Sequence, residues 1–285
     1  MAQSLSLIPT SQTKSNTPVL PQALVLSGFN WSSDGKLLVS DAANLLRMGT
    51  DGNNRTTLLS EALISDASTC GTRYLVFSWF LPRGTNAVRV WRVDADGSNP
   101  MQLTDGKQDA LPVCSVDLKW VYYIDRNANQ LRRVPLNGGK AELVPGSIVP
   151  NTPLNSGFSI SPDGKLLAYC ASAESPGGQV QKLVLVSLGL EGAAAPRLLD
   201  PDQRISGAIE FTPDANAVAY PIRKDGVDNI WIHPLNGSVG RQITNFKSDE
   251  IKEFHWSPDG KTLGILRNHT DSDVVLIHDQ GSSSQ

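Results

Sequence analysis

A chain of 285 residues, 40% hydrophobic and 19% charged with a net charge of -3, lacks the clustered Lys and Arg that mark a nucleic-acid surface. Its apolar runs are too short to cross a bilayer. A folded chain of this length buries roughly 75% of its extended surface, so no disulfides are needed to hold it.

The first 23 residues read as a strand and a linker, and residues 24–285 as one domain. "SLSLIPTS" (4–11) has the pattern of a short strand, and the Ser, Thr, Asn and Pro of "PTSQTKSNTP" suit a coil. The stretch lacks the basic region and continuous apolar core of a secretion signal. Two expectations stay open: a cytoplasmic chain, or a piece of a longer protein whose targeting lies upstream.

The rest of the chain repeats one unit six times. Its opening phrase is "WSSDGKLLVS" (31), "ASTCGTRYLVFS" (67), "CSVDLKWVYY" (114), "ISPDGKLLAY" (160), "FTPDANAVAY" (211) and "WSPDGKTLGIL" (256). The pivots Gly35, Gly71, Leu118, Gly164, Ala215 and Gly260 lie 36 to 51 residues apart, within the range of propeller blades. Pro presets φ at the second position of such a turn, Asp bonds the local backbone, and Gly accepts positive φ. Each phrase leads into a second run with its own turn, such as "AVRVWRVDADG" or "NIWIHPLNG", and in five copies into a short apolar strand. "LLVS", "YLVF", "WVYY" and "LLAY" are too short for helices and apolar at successive positions, as in sheets covered on both faces. Four strands per unit, arranged radially, predict an all-β, six-bladed β-propeller of four-stranded antiparallel blades, beginning near 24, 61, 108, 150, 201 and 246. The sixth unit lacks an outer strand. Leu5–Ile8 is expected to pair with Val274–Ile277 and close the ring, removing the open edges.

"SPDGKLLAY", "WSPDGKTLGIL" and "NIWIHPLNGSVGRQITNF" resemble the repeats of TolB-like propellers, relatives of the WD-type class. The last 80 or so residues look most like the C-terminal propellers of bacterial membrane-tethered Ser/Thr kinases and related signalling regulators. The resemblance covers nearly everything after residue 24 and is degraded in the second and third repeats. It implies a non-catalytic module, the ligand- or partner-binding part of a bacterial signalling or envelope protein, lying outside the cytoplasmic membrane.

Catalytic signatures are sparse. "GFSIS" (157–161) misses the last Gly of a nucleophile elbow, and no phosphate loop or kinase motif appears. Cys70, Cys114 and Cys170, odd in number and without CxxC spacing, read as buried reduced thiols. All four histidines fall after residue 232, and "NHTDSD" (268–273) reads as a solvated loop rather than a metal site. No cofactor is expected. The alternative is a small propeller hydrolase or lyase with a site at the channel mouth. Its mark would be carboxylates and histidines converging within a few ångströms.

Two surfaces are singled out. In the innermost strands, apolar pairs such as Phe29 with Trp31 and Phe254 with Trp256 flank Asn30, Ser159, Glu210 and His255, with Asp66 and Val113 in the equivalent places of the weak repeats. Alternation aims these residues away from the apolar pairs, to line a polar central channel with room for water or a small polar ligand. The second surface is the end of the ring that carries the variable loops, where binding residues tend to sit. There Phe80, Arg83, Asp109, Asp202, Arg204, Asp249 and Glu250 form the expected partner surface, with aromatic and Arg anchors. The chain is expected to be a monomer, with neither nucleic acid nor membrane insertion.

Overall fold

A computed structural model describes residues 2–10, 26–41, 43–60, 63–80, 86–147, 154–188 and 195–269. A leading strand, β1 (Ala2–Pro9), stands before the blades. The first blade is β2 (Leu26–Trp31), β3 (Leu37–Asp41), β4 (Leu45–Met48) and β5 (Thr56–Leu59). The second is β6 (Ile64–Cys70), β7 (Tyr74–Phe80), β8 (Val88–Asp94) and β9 (Met101–Gln102). The third is β10 (Asp109–Cys114), β11 (Trp120–Asp125), β12 (Gln130–Pro135) and β13 (Glu142–Leu143). The fourth is β14 (Leu154–Ile160), β15 (Leu166–Ser175), β16 (Gly178–Ser187) and β17 (Arg197–Leu199). The fifth is β18 (Glu210–Phe211), β19 (Ala217–Lys224), β20 (Val227–Pro234) and β21 (Arg241–Gln242). The sixth contains β22 (Glu250–Trp256) and β23 (Thr262–His269). Five sheets have four antiparallel strands in chain order, and no helix occurs among the described residues. First strands of neighbouring blades touch, β2 meeting β6 and β22 while β10 meets β6 and β14. The fold is a six-bladed β-propeller.

The apolar runs follow from this radial packing. Along β3, Leu37 and Val39 face the sixth blade beside Leu5 and Leu266, whereas Leu38 faces Ile64, Leu75 and Phe77 of the second. Along β11, Val121 and Tyr123 join the second blade, and Tyr122 and Ile124 the fourth. Both faces of each middle strand are therefore core. Fully burying one such side chain contributes about 1.5–3 kcal/mol.

The turns behave as their residues dictate. In four of them the hydroxyl of Ser115, Ser161, Thr212 or Ser257 donates to the carboxylate two residues on, each at 2.6 Å. The Ser32 hydroxyl does the same in the first turn and holds the Asp34 carboxyl down to about 2. The pivot lies in the left-handed region throughout, at φ 71° for Gly164 and 68° for Gly260. Leu118 and Ala215 are forced to φ 58° and 59° in the same place, where a Cβ costs about 1–2 kcal/mol.

Two expectations need correcting. The ring is closed by β1, but its observed partner is β23, with Leu5 opposite Leu266 and Ile8 opposite Leu263. It occupies the third place in the blade rather than the expected fourth and is the outermost strand there among the described residues; Val274–Ile277 lies outside them. The cysteines are not three reduced thiols. Cys70 and Cys114 form a disulfide between the first strands of blades two and three, with a Cα–Cα separation of 5.4 Å. That separation is ordinary for a disulfide, and only the ring brings the two residues to it. Cys170 is a free, buried thiol, pushed up to about 11 by burial.

Candidate functional site

The six innermost strands converge on a central cavity of about 250 Å³. Register sorts its lining into two tiers. Asn30, Ser68, Val113, Ser159, Glu210 and His255 face the second-strand residues Leu38, Val76, Tyr122, Ala168, Ala219 and Gly264. Two residues earlier, nearer the variable-loop end, stand Gly28, Asp66, Leu111, Gly157, Ala208 and Glu253. Asn30, Asp66, Ser159, Glu210 and His255 all border this cavity, together with Glu253. Asp66 is not the equivalent of Asn30, however; Ser68 is. The register of β6 shifts between Ser65 and Ser68, and Asp66 sits in that bulge at φ 55°. Bulges re-aim side chains in this way. Leu111 is turned by a similar shift in β10, at φ 58°.

Several of these polar side chains bond across the joints between blades. Phe211 N–H donates to Ser159 Oγ at 3.1 Å, and Trp256 N–H to Glu210 Oε2 at 3.2 Å. At the joint between the last blade and the first, Phe29 N–H donates to Glu253 Oε1 at 2.5 Å. The Trp31 indole N–H donates to the His255 carbonyl at 2.9 Å across the same joint. Between blades two and three the Ser68 hydroxyl donates to the Pro112 carbonyl at 2.8 Å, and the disulfide adds a covalent link.

His255 is the electrostatic centre. Its Nδ1 lies 2.7 Å from Glu210 Oε1, its Nε2 3.9 Å from Glu253 Oε2, and its ring meets Phe29 edge-on. Burial opposes a charged ring, but the Glu210 carboxylate and then Glu253 outweigh it and push His255 up to about 10. The ring is thus an imidazolium at neutral pH, clamped between carboxylates. Among the described residues no group of three or more His, Cys, Asp or Glu side chains is disposed to hold a metal ion.

Sequence alternation found the tier of Asn30, Ser159, Glu210 and His255 but missed Glu253, which the same period of two would have reached from His255. The loop-end residues do not come together as expected. Phe80 is exposed beside Leu63, whose carbonyl accepts its N–H at 2.9 Å, and Arg83 lies outside the described residues. Asp109 is only 2% exposed; burial pushes its carboxyl up, and it accepts the Gly106 N–H, so it belongs to the interior. Asp249 is also withdrawn, with its carboxylate 3.1 Å from Arg267 Nη1 and 2.6 Å from His269 Nδ1. Asp202 and Arg204 pair with each other at 2.6 Å. Glu250 lies 3.0 Å from Arg223, whose fork also holds the buried Asp228.

No family model matches the chain. The uncharacterized protein YidR of Escherichia coli (strain K12) is 29% identical over 73 residues, which is 25% of this chain and 17% of that protein. The match therefore spans far less than two thirds of that relative. Among solved structures, the putative TolB from Agrobacterium tumefaciens superimposes with a TM-score of 0.74 at 16% identity, covering 94% of this chain and 98% of that one. An oligogalacturonate lyase in complex with manganese gives a TM-score of 0.61 at 14% identity, covering 86% and 77%. The fold is that of a TolB-like propeller.

Proposed function

We propose that this propeller is a non-catalytic binding module that takes a small polar ligand, or the tip of a partner, into its central cavity. It works as the sensing or interaction part of a bacterial signalling or envelope protein. The observation that carries this reading is the cavity itself, to which all six innermost strands contribute. Mostly apolar walls with a few convergent polar groups are the usual make-up of ligand sites. The Cys70–Cys114 disulfide supports a place outside the cytoplasm, since such bonds persist in oxidising compartments. The likeness to a putative TolB agrees with this but speaks to fold alone.

A second reading, a propeller enzyme, is favoured by one observation, the convergence of His255 with Glu210 and Glu253. Against it stands the protonation of that ring. A general base must be free of its proton near the working pH, and His255 keeps its own to about 10.

The test is a ligand-observed NMR screen of small polar compounds on the wild type and on Gly157→Leu. Gly157 lines the cavity with ordinary space around its Cα, so a leucine there fills the site. Hits lost in the variant support the binding reading, and a wild type without hits sinks it. Turnover of oligogalacturonate, with or without manganese, that vanishes in His255→Gln would establish the enzyme instead.

A further inference from the structure

Two charged side chains at the cavity face each other without touching. His255 Nε2 lies 3.9 Å from Glu253 Oε2, beyond the reach of a direct hydrogen bond. The polar atoms around this pair are engaged elsewhere. His255 Nδ1 is held by Glu210 Oε1, the second Glu210 oxygen by the Trp256 N–H, and Glu253 Oε1 by the Phe29 N–H. Asp66 accepts the hydroxyls of Ser65 and Ser78. The His255 ring keeps a proton on each nitrogen up to about 10, so Nε2–H is a donor and Glu253 Oε2 an acceptor. Both residues border the central cavity.

The distance between them selects a chemistry. Two hydrogen bonds of about 2.8 Å that meet at one oxygen at roughly 90° span about 4 Å. One oxygen set between Nε2 and Oε2 therefore bonds both, provided that it accepts from the ring and donates to the carboxylate. A hydroxyl does both, whereas a carbonyl only accepts and an ammonium only donates. Water does both as well, so a ligand hydroxyl replaces it without loss, while a carbonyl or an ammonium forfeits one bond. An ammonium would also meet the imidazolium, and an anionic ligand would meet the carboxylates of Asp66, Glu210 and Glu253 in the lining. Leu111, Val113 and Ile209 supply apolar wall, and a volume of about 250 Å³ admits only a small molecule.

Resting on the binding reading above, we infer that the cavity selects an uncharged alcohol: its hydroxyl seats between His255 and Glu253, accepting from Nε2–H and donating to Oε2, with its carbon body against Leu111, Val113 and Ile209.

NMR titrations of the isotope-labelled protein with cyclohexanol, cyclohexanone and cyclohexylamine at neutral pH test this, because the three share one carbon frame and differ only in the group presented. Cyclohexanol is expected to bind at least fivefold more tightly than either of the others, and Gly157→Leu, which fills the cavity, is expected to abolish its binding. In Glu253→Gln the amide oxygen is expected to keep the Phe29 N–H, which turns the amide nitrogen toward His255 Nε2–H. Two donors then flank the site, and the order is expected to reverse in favour of the ketone while a thermal melt stays cooperative. Should that variant unfold, the wild-type order decides alone. Ketone or amine bound by the wild type as tightly as the alcohol would overturn the assignment. So would alcohol binding that survives Gly157→Leu, or an unchanged order in a folded Glu253→Gln. If none of the three probes binds, the alcohol assignment fails, and the binding reading fails with it only if the broader screen of polar compounds is also blank.

Discussion

Glu210 Oε1 of the fifth blade lies 2.7 Å from His255 Nδ1 of the sixth, so a joint between two blades depends on a proton. The ordinary value of 6.5 applies when the chain is unfolded, against about 10 in the fold. Folding therefore takes up a proton between those values. The contribution is complete below pH ~6.5, falls through the alkaline range, and is gone above ~10. The groups facing the ring are Glu210 and Glu253, with Phe29 against its edge. Melting temperatures of wild type and His255→Gln, taken from pH 6 to 10, are expected to differ most at pH 6 and to converge toward pH 10. A constant difference would mean that the ring contributes no charge.

The Cys70–Cys114 link closes a loop with a sequence separation of 44. On the chain-entropy account such a cross-link stabilises by about 4 kcal/mol. Denaturant midpoints are expected to fall on adding a reductant, and Cys70→Ala/Cys114→Ala is expected to start at the lower midpoint and ignore the reductant.

Ala215 holds a left-handed conformation at φ 59° where four sister turns have glycine. Ala215→Gly is expected to stabilise the fold by roughly 0.5–1 kcal/mol, the relief of the Cβ clash exceeding the added flexibility of the unfolded chain. Urea titration reads the change; a lower midpoint would mean that the turn is unstrained.

Leu5 is 1% exposed and packs with Leu26, Phe29 and Leu266 at the closing joint. Leu5→Ala is expected to cost about 2–5 kcal/mol. Leu7, partly buried on the same strand, is expected to cost less when changed in the same way. Equal costs would indicate a different register for β1.

What the sequence disclosed follows from what is local. The turn chemistry around Asp163 or Asp259, and the double-faced runs such as those of β3 and β11, depend on neighbours a few positions away, and these were legible. Asp66 falls two residues from the true equivalent because Gly71 follows Ser68 by three residues whereas Gly35 follows Asn30 by five, a difference that only the hairpin register reveals. Glu253 was overlooked because the apolar flanks that drew attention to His255 do not extend to it. The Cys70–Cys114 pair and the partner of β1 were hidden for another reason. Both are set by how blades meet in space, and nothing in the spacing of the residues encodes it. At the loop end, the burial of Asp109 and the pairing of Asp249 with Arg267 likewise arise from contacts between segments far apart in sequence.

The pairing of β1 with β23 also fixes an order of events during synthesis. Residues 2–9 leave the ribosome before any blade exists, and their partner, Thr262–His269, emerges only after five blades have been made. For that whole interval a strand with buried apolar residues on both faces, Leu5 on the side of the first blade and Ile8 on the side of the fifth, waits without a sheet, and the growing arc keeps an open edge at each end. Bringing the ends together is not the obstacle, because doubling a loop adds only about 0.6 kcal/mol to its closure. The delay itself is the hazard. A nascent propeller of this design is most prone to pair with a neighbouring copy just before its last blade arrives, and it becomes safe from that fate in a single final step.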